Sequence, residues 1–388
     1  MKTFRFSVYL LLATMFAGSV VSCGDDDNDV VDPFEAKEKE FAAIIPQYVN
    51  NTVIVTYKSL ADATINLYDA LVELKENKTQ ANLTAATDAW ITTRVYWERS
   101  EAFLYGAVAD FGIDPHIDTW PLDEPAFNNT IRNADFIESM SGDDGDVWVA
   151  EHLGYSLLGF HGIEYILFAE GQPKDVATVT DNELIYATAV GGDLRNQCIR
   201  LEASWAGIDN VSSFKQNLIE ELELVITPSN SALSYGENML NAGQPGSTYR
   251  TVTDATVAII EGCLTISTEV GEVKIGTSYN KDDEDYIESP YSYNSKVDFI
   301  DNIRSIENAY LGGATESARG ASVSDYVKKE DAALDEKMRA AIQNAIAKID
   351  AIPYPFAINY ASAQAGEAMD ACAELTDTLT EVKVLLQK

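Results

Sequence analysis

The sequence predicts an all-α protein, built as a two-lobed helical bundle. Apolar residues recur at helical spacing along most of the chain, sustained β-type alternation is scarce, and no glycine-rich phosphate loop follows a strand. About 355 residues remain beyond residue 33, which is more than one core usually supports. We therefore predict two lobes, at 34–227 and 228–388. Their similar length and helix count are compatible with a duplicated bundle, although no strong sequence repeat is visible.

Periodicity predicts the elements of the first lobe in order. Residues 34–74 form a helix with a break near Asn50-Asn51. Residues 110–145 are rich in Pro, Asp, Asn and Gly, so an irregular segment is predicted there. The other helices predicted in this lobe are 83–106, 147–170, 182–205 and 211–224.

The second lobe follows a turn-rich stretch at 228–247. Its connection 276–294 begins with a charge run that we interpret as solvated, and continues as the polar and aromatic segment 288–294. Ser295 is the predicted N-cap of the next helix. The helices predicted in this lobe are 251–274, 295–311, 331–349 and 360–386.

The start of the chain predicts export and lipidation. Lys2 and Arg5 precede a short apolar run, and Val-Val-Ser ends at Cys23. This pattern is typical of a lipoprotein signal peptide at 1–22, with Cys23 lipidated, rather than of a membrane-spanning helix. The acidic residues that follow make 23–33 a tether, either a plain spacer or a surface-export signal. The expected location is the bacterial envelope, at the outer membrane, facing the periplasm or the exterior; an ordinary signal peptide is the alternative.

The charge and the cysteines limit the functions. A net charge of −35 excludes nucleic acid as a partner, because phosphate contacts need a basic surface. The same charge attracts cations without identifying a function. Cys198, Cys263 and Cys372 remain beyond the lipidation site and lack the spacing of a zinc site. We expect them to pack in the core, with room for at most one disulfide.

The most informative motif is the His161-x-x-Glu164 pair in a long apolar segment. Residues three apart share one face of a helix, so this imidazole and this carboxylate project together. A purely structural hydrogen-bonded pair is the alternative to a functional site. Gly159 and Gly162 disfavour a helix interior and therefore indicate close helix packing or access to the pair. The predicted inward stripe contains Gly154, Leu157, His161, Glu164, Tyr165 and Phe168.

Four motifs in this order resemble the imelysin family. Gly159, His161 and Glu164 match its Gly-x-His-x-x-Glu motif, and Trp120, Pro121 and Asp123 match its Trp-Pro-x-Asp element. The other two are an upstream helix with Trp90, Arg94, Glu101, Ala102 and Phe103, and a second-half signature with 288–292, Asn302 and Gly312-Gly313. The resemblance implies that Arg94, Glu101, Trp120, Asp123, Glu288 and Ser292 converge on His161 and Glu164. For Trp90 and Trp97 alone, core packing is the expected role.

The resemblance implies either metallopeptidase activity, with Glu164 and His161 catalytic, or a part in iron acquisition. A zinc peptidase usually presents two histidines, yet His152 would lie on the opposite face of the predicted helix, which leaves only His116. Iron or another divalent cation accepts more oxygen ligands. We therefore favour a cation or small ligand held at the lobe interface. A structural site in a lipoprotein that contacts another envelope protein is the third reading. The candidate ligands are His161, Glu164, Glu101, Asp123 and Glu288.

Overall fold

The computed structural model describes residues 32–229 and 231–388, and these are mostly helical. The all-α prediction is therefore confirmed. The only sheet within these ranges is a two-stranded antiparallel hairpin of Phe168–Ala169 and Gln172–Pro173. Across the same residues, no helix is both long and apolar enough to span a membrane. The predicted signal peptide, Cys23 and most of the tether lie outside the described residues.

Helical backbone continues through the predicted break near Asn50-Asn51. Asp32 caps the first helix, Pro33–Tyr48, by accepting a hydrogen bond from the Phe34 amide. A π-helical turn, Val49–Val53, then joins it directly to Ile54–Glu76. A π turn adds a residue to the helical repeat without ending the helix. The apolar pattern therefore shifts by one position at this turn, and in the sequence this shift resembles a break.

A first group of helices surrounds Ile54–Glu76, which packs against Gln80–Glu98 and Asp181–Ala206. A capping box of Thr180 and Glu183 begins the last of these. The smaller elements of this group are the helices Ser213–Glu221 and Tyr235–Leu240 and the 3-10 turns Glu101–Phe103, Val176–Thr178 and Ile208–Asn210.

Two predictions for the middle of this group are wrong. The segment 110–145 is not irregular, because short helices fill most of it. The single helix predicted at 147–170 is interrupted, since Leu153, Gly154 and Leu158 have extended backbone angles. The elements in this region are Ala107–Phe111, Ile113–Ile117, Glu124–Thr130, Ala134–Met140, Gly145–His152, the 3-10 turn Tyr155–Leu157, and Gly159–Leu167.

A second group of helices lies close to its predicted bounds. Ala363–Gln387 packs against Val252–Thr268 and Ala332–Asp350, and both of these also contact Ser295–Leu311. The amphipathic helix Val323–Glu330 was not predicted from the sequence. The remaining elements here are the π turn Glu269–Ile275, the helices Gly276–Tyr279 and Phe356–Asn359, and the 3-10 turn Glu316–Ala318.

The two groups share one apolar core, and the site lies where they meet. Gln80–Glu98 and the 3-10 turn Glu101–Phe103 pack against Ser295–Leu311, while Pro33–Tyr48 packs against Val252–Thr268. The division into 34–227 and 228–388 stays a prediction. Cys198, Cys263 and Cys372 are all buried as free thiols, in agreement with a packing role.

Candidate functional site

Two glycines that make close contacts with their neighbours position the helix that carries His161 and Glu164. Gly159 begins this helix with a φ of 67°, and a Cβ there would lie 1.8 Å from the carbonyl oxygen of Ile117. Only glycine fits that conformation and that spacing. A Cβ on Gly162 would lie 2.7 Å from the Tyr186 hydroxyl. Gly159 therefore lies at the start of the helix rather than in its interior, and both glycines permit close packing.

The Glu164 carboxylate is fully hydrogen-bonded. Its Oε1 accepts from the Tyr291 amide (3.0 Å), the Ser292 amide (2.8 Å) and the Ser292 hydroxyl (2.7 Å). Its Oε2 lies 3.0 Å from His161 Nδ1. Ser289 and Tyr293, with φ of 50° and 59°, flank the segment that turns these successive amides toward the carboxylate. Glu164 thus joins the first group of helices to the 288–292 loop.

His161 connects Glu164 to a carboxylate that the sequence analysis missed, Asp118. The imidazole Nε2 lies 3.1 Å from Asp118 Oδ1, although its direction is poor for a hydrogen bond. Burial lowers the pKa of His161, but Asp118 and Glu164 outweigh it and raise that pKa to about 9. Burial would raise the pKa of Asp118, yet Arg94, His161 and Lys274 together outweigh this and hold that pKa well below its usual range. Trp97 Nε1 donates to Asp118 Oδ2 (2.6 Å), so this tryptophan has a polar role besides packing.

Two buried cations hold the other acidic side chains. Arg94 forms ion pairs with Asp118, Glu98 and Glu288, the last at 2.8 Å, and lies 3.8 Å from Asp298. Lys274, on the π turn Glu269–Ile275, lies 3.3 Å from Glu288 and 3.6 Å from both Glu98 and Glu101. Both cations come from helices, whereas Asp118 and Glu288 come from connecting segments. We call this group the central network: Arg94, Glu98, Glu101, Asp118, His161, Glu164, Lys274, Glu288 and Asp298.

The central network contains six carboxyl groups but only three cationic side chains, all buried. Burial raises the pKa values of Glu98 and Glu101 well above the ordinary glutamate value, and that of Asp298 to about 7. These three groups can therefore hold protons, because an uncompensated buried charge is expensive. The remaining carboxylates then balance the three cations.

Buried polar atoms without hydrogen-bond partners concentrate in this region. Among the described residues there are seven such side-chain atoms, and five belong to the central network or to the adjacent Asn302. Native structures leave few such atoms, so each needs an explanation. Two geometric donor sets for a metal ion lie here, one of Asp118, His161 and Glu288 and one of Glu98, Glu101 and Asp118, with the donor atoms of each set within 4.8 Å of one another.

The structure brings His161, Glu164, Arg94, Glu101, Glu288 and Ser292 together, with Gly159 directly behind. Other candidates lie elsewhere. Asp123 is exposed and caps the helix Glu124–Thr130 by accepting from the Ala126 amide, and Trp120 packs 4.0 Å from the Tyr286 ring. His116 pairs with Asp193 at 2.7 Å, and His152 stacks on Trp148. The prediction that His152 lies on the opposite face of the helix from His161 assumed one continuous helix, and that helix is interrupted. The His152 imidazole is nevertheless not part of the network.

A cleft of about 400 Å³ opens beside the central network. Glu101 and Tyr105 line it from the first group of helices, and Gly262, Ile266 and Glu269 from the second. Glu101 also lies 3.6 Å from Lys274, so the cleft reaches one end of the central network. The predicted N-cap Ser295 lies farther inside, where its hydroxyl donates to the Glu288 carbonyl; the N-cap is Asn294.

Comparisons with known proteins agree with this architecture. The chain is 26% identical to iron-regulated protein A of Synechococcus elongatus over 339 residues, which are 86% of this chain and 83% of that protein. It also resembles the crystal structure of an iron-regulated protein A precursor from Parabacteroides distasonis, with 30% identity, a TM-score of 0.71, and coverage of 89% and 95% of the two chains.

An imelysin-like protein from Psychrobacter arcticum shares the fold, with a TM-score of 0.57 at 15% identity over 90% of this chain and 94% of that one. The family model described as Imelysin, Peptidase_M75, matches residues 53–383, which include every member of the central network. This chain therefore belongs to the imelysin family.

Proposed function

We propose that this imelysin-family protein binds a divalent cation at Asp118, His161 and Glu288. One observation carries the proposal: within this donor set, His161 Nε2 and Glu288 Oε2 are buried and have no hydrogen-bond partner among the described residues. An imidazole with carboxylate oxygens suits iron, manganese or zinc. The name of the relative iron-regulated protein A makes iron the first cation to test.

The charge of the central network supports a cation and also limits its affinity. Arg94 pairs with both Asp118 and Glu288, so a metal ion held by them would lie near a guanidinium. That repulsion weakens binding. His161, whose pKa is raised to about 9, must also lose its proton before Nε2 can bind a metal ion. The excess of carboxyl groups opposes it, because a bound cation can replace the protons that otherwise neutralise them. Glu98 and Glu101 extend the donor set toward the cleft, which is the proposed route of entry.

Peptidase activity has less support from the same geometry. A metallopeptidase needs a carboxylate that is free to accept a proton from water. Glu164 already accepts hydrogen bonds at both oxygens, and neither His116 nor His152 reaches His161 to complete a zinc site. The position of Glu164 favours a role in orienting His161 and holding the 288–292 loop.

The test is equilibrium dialysis of the mature protein against Fe²⁺ under anaerobic conditions, and separately against Zn²⁺. We expect saturable uptake by the wild type, and at least about tenfold weaker binding by His161→Gln and Glu288→Gln. Glu202→Gln is the matched control, because it also changes a buried glutamate in an ion pair but lies outside the central network. Circular dichroism checks that each variant folds. An absence of saturable uptake by the wild type would contradict the cation site and favour a purely structural role for the His161–Glu164 pair.

The proposed location is the bacterial cell envelope, with the protein held at the membrane by a lipid on Cys23. The support is the signal sequence at 1–22 and the cysteine that ends it. A Cys23→Ser variant should move from the detergent-soluble membrane fraction to the aqueous fraction. Unchanged partitioning would contradict the proposed anchor. Contact with a further envelope protein stays a prediction.

A further inference from the structure

We infer that this protein also has an anion-binding pocket, separate from the central network, which takes a small multivalent oxyanion. The pocket has a volume of about 780 Å³. Four arginines line it: Arg99 from the first group of helices, and Arg304, Arg319 and Arg339 from the second. The chain contains only ten arginines and carries a net charge of −35, yet four of the ten lie around this one pocket.

Two of these arginines are held in place by hydrogen bonds to aspartates, and these bonds leave other N–H donors of each guanidinium unused. Arg99 Nε donates to Asp301 (2.8 Å) and Arg339 Nε donates to Asp335 (2.9 Å), and both aspartates are buried. Both Nη nitrogens of Arg99 and Nη1 of Arg339 have no hydrogen-bond partner among the described residues. An arginine held at one edge keeps the other donors of its planar fork available for an oxyanion.

Arg319 is held in place by the loop that carries it. Its Nη1 donates to the carbonyls of Gly313 (2.8 Å) and Glu307 (3.1 Å), and its Nη2 donates to Asn308 Oδ1 (3.1 Å). Burial lowers the pKa of Arg319. The ordinary pKa of arginine lies far above neutral pH, so the Arg319 side chain still stays protonated there. The guanidinium therefore contributes a fixed positive charge, while its remaining Nε has no partner within the described chain.

The loop 312–319, which carries Arg319, is anchored by close contacts at its two glycines. Gly312 has a φ of 69°, and a Cβ on Gly313 would lie 2.6 Å from the Ala318 carbonyl oxygen. The Gln47 side chain donates to the carbonyls of Gly312 and Ala318 at 2.7 Å each. A site built before its ligand arrives loses less entropy on binding. The Gly312-Gly313 motif, which the central network does not use, therefore shapes this pocket.

The acidic residues of the pocket determine which anions it can take. Glu307 and Glu316 also line it, so a singly charged anion gains little from the arginines. A phosphate group or a polycarboxylate can accept from two or more guanidinium groups at once, and these contacts are the strongest hydrogen bonds in such sites. The shared chemistry is a compact oxyanion with at least two negative charges.

Isothermal titration calorimetry of the mature protein in metal-free buffer tests this inference, with inorganic phosphate in one series and citrate in another. Arg304→Gln should weaken binding about tenfold, because one charge-assisted contact is lost. Arg304 is suited to this test, since its only ion pair among the described residues is with Glu307 at 3.4 Å and its side chain is 42% exposed. Glu316→Gln should tighten binding about two- to threefold by removing a repulsive charge. The series that binds more tightly identifies a phosphate or a carboxylate ligand.

Arg132→Gln is the matched control, because Arg132 is exposed and lies outside the pocket. It should leave both titrations unchanged, and so should His161→Gln, whose site is separate. An absence of saturable binding in both series would overturn the inference. Equal weakening by Arg132→Gln and Arg304→Gln would also overturn it, since that result would reflect only the overall charge of the protein.

Discussion

Two charge clusters in this molecule contain buried ion pairs but differ in the balance between cations and acids. The Lys215 cluster consists of Lys58, Asp62, Glu202 and Lys215, so its two cations match its two acids. Lys215 donates to Asp62 and to Glu202 at 2.5 Å each. No side-chain atom of this cluster is buried without a partner within the described chain, whereas four atoms of the central network are.

The contrast shows which property marks a candidate site. Burial of charge alone does not, because the Lys215 cluster packs beside a small apolar core and satisfies itself. Excess carboxyl groups together with unpartnered donor atoms distinguish the central network. A structural cluster reaches balance with its own residues, while a binding site leaves charge and coordination for a ligand.

Removing the main cation of each cluster should give the largest difference. Arg94→Met leaves Asp118, Glu98 and Glu288 without their guanidinium, so we expect unfolding free energy to fall by about 3–5 kcal/mol. Lys215→Met leaves only Glu202 buried and unpaired, because the Asp62 side chain is 46% exposed. Its expected cost is about 1–3 kcal/mol.

Urea unfolding followed by circular dichroism measures both variants. Equal losses would show that the central network is no more interdependent than the Lys215 cluster. A smaller loss for Arg94→Met than for Lys215→Met would contradict the comparison.

Raising the pH should destabilise the central network next most strongly. The pKa of His161 is raised to about 9 in the folded protein, above the unfolded value near 6.5. Its stabilising contribution is therefore complete below pH 6.5 and is lost as the pH rises through 9, an expected loss of about 3 kcal/mol. Asp298, whose pKa is raised to about 7, acts in the same direction at lower pH, because the proton that favours its folded form is lost as the pH rises through 7.

Unfolding free energies measured in urea from pH 6.5 to 9.5 test this dependence. His161→Gln should lower the slope, although Glu98 and Glu101, whose pKa values are also raised, keep part of it. Lys215→Met should keep the wild-type slope. A flat wild-type profile would show that His161 is not held as the cation.

The smallest expected effect comes from the loop contact to Glu164. Ser292→Ala removes one of three hydrogen bonds to Glu164 Oε1 while the two amide donors remain. We expect a loss of about 1 kcal/mol in unfolding free energy. Ser59→Ala is a suitable comparison, because the Ser59 hydroxyl bonds only its own helix and is outside both clusters. A loss above about 3 kcal/mol would mean that the loop depends on Ser292 itself.

The sequence predicted the helical fold and the His161–Glu164 pair for physical reasons. Long helices have strong periodicity, and Ser295–Leu311 was predicted at its observed bounds. The break in the predicted helix 147–170 was missed because its residues keep an apolar pattern through Leu153 and Leu158. Backbone angles at those residues depend on contacts such as that of Gly159 with Ile117, which periodicity does not report.

The partners of the pair were harder to predict. Asp118 is one of 62 acidic residues, and nothing in its local sequence separates it from the exposed Asp123. In the sequence, Lys274 looks like a polar residue at the end of a helix. In the structure, a π turn directs its side chain into the central network. Glu288 was found because the family resemblance pointed to it. Local sequence thus predicts which residues share a helix face, while long-range packing decides which charges meet.

The most direct test of the account is a crystal structure of the mature protein soaked with Fe²⁺ under anaerobic conditions, with anomalous data collected at the iron edge. If the central network binds the cation, an anomalous peak lies within coordination distance of His161 Nε2 and Glu288 Oε2, and none lies at the Lys215 cluster. Peaks only at exposed acidic residues, or no peak at a concentration that saturates uptake, would contradict a cation site in the central network.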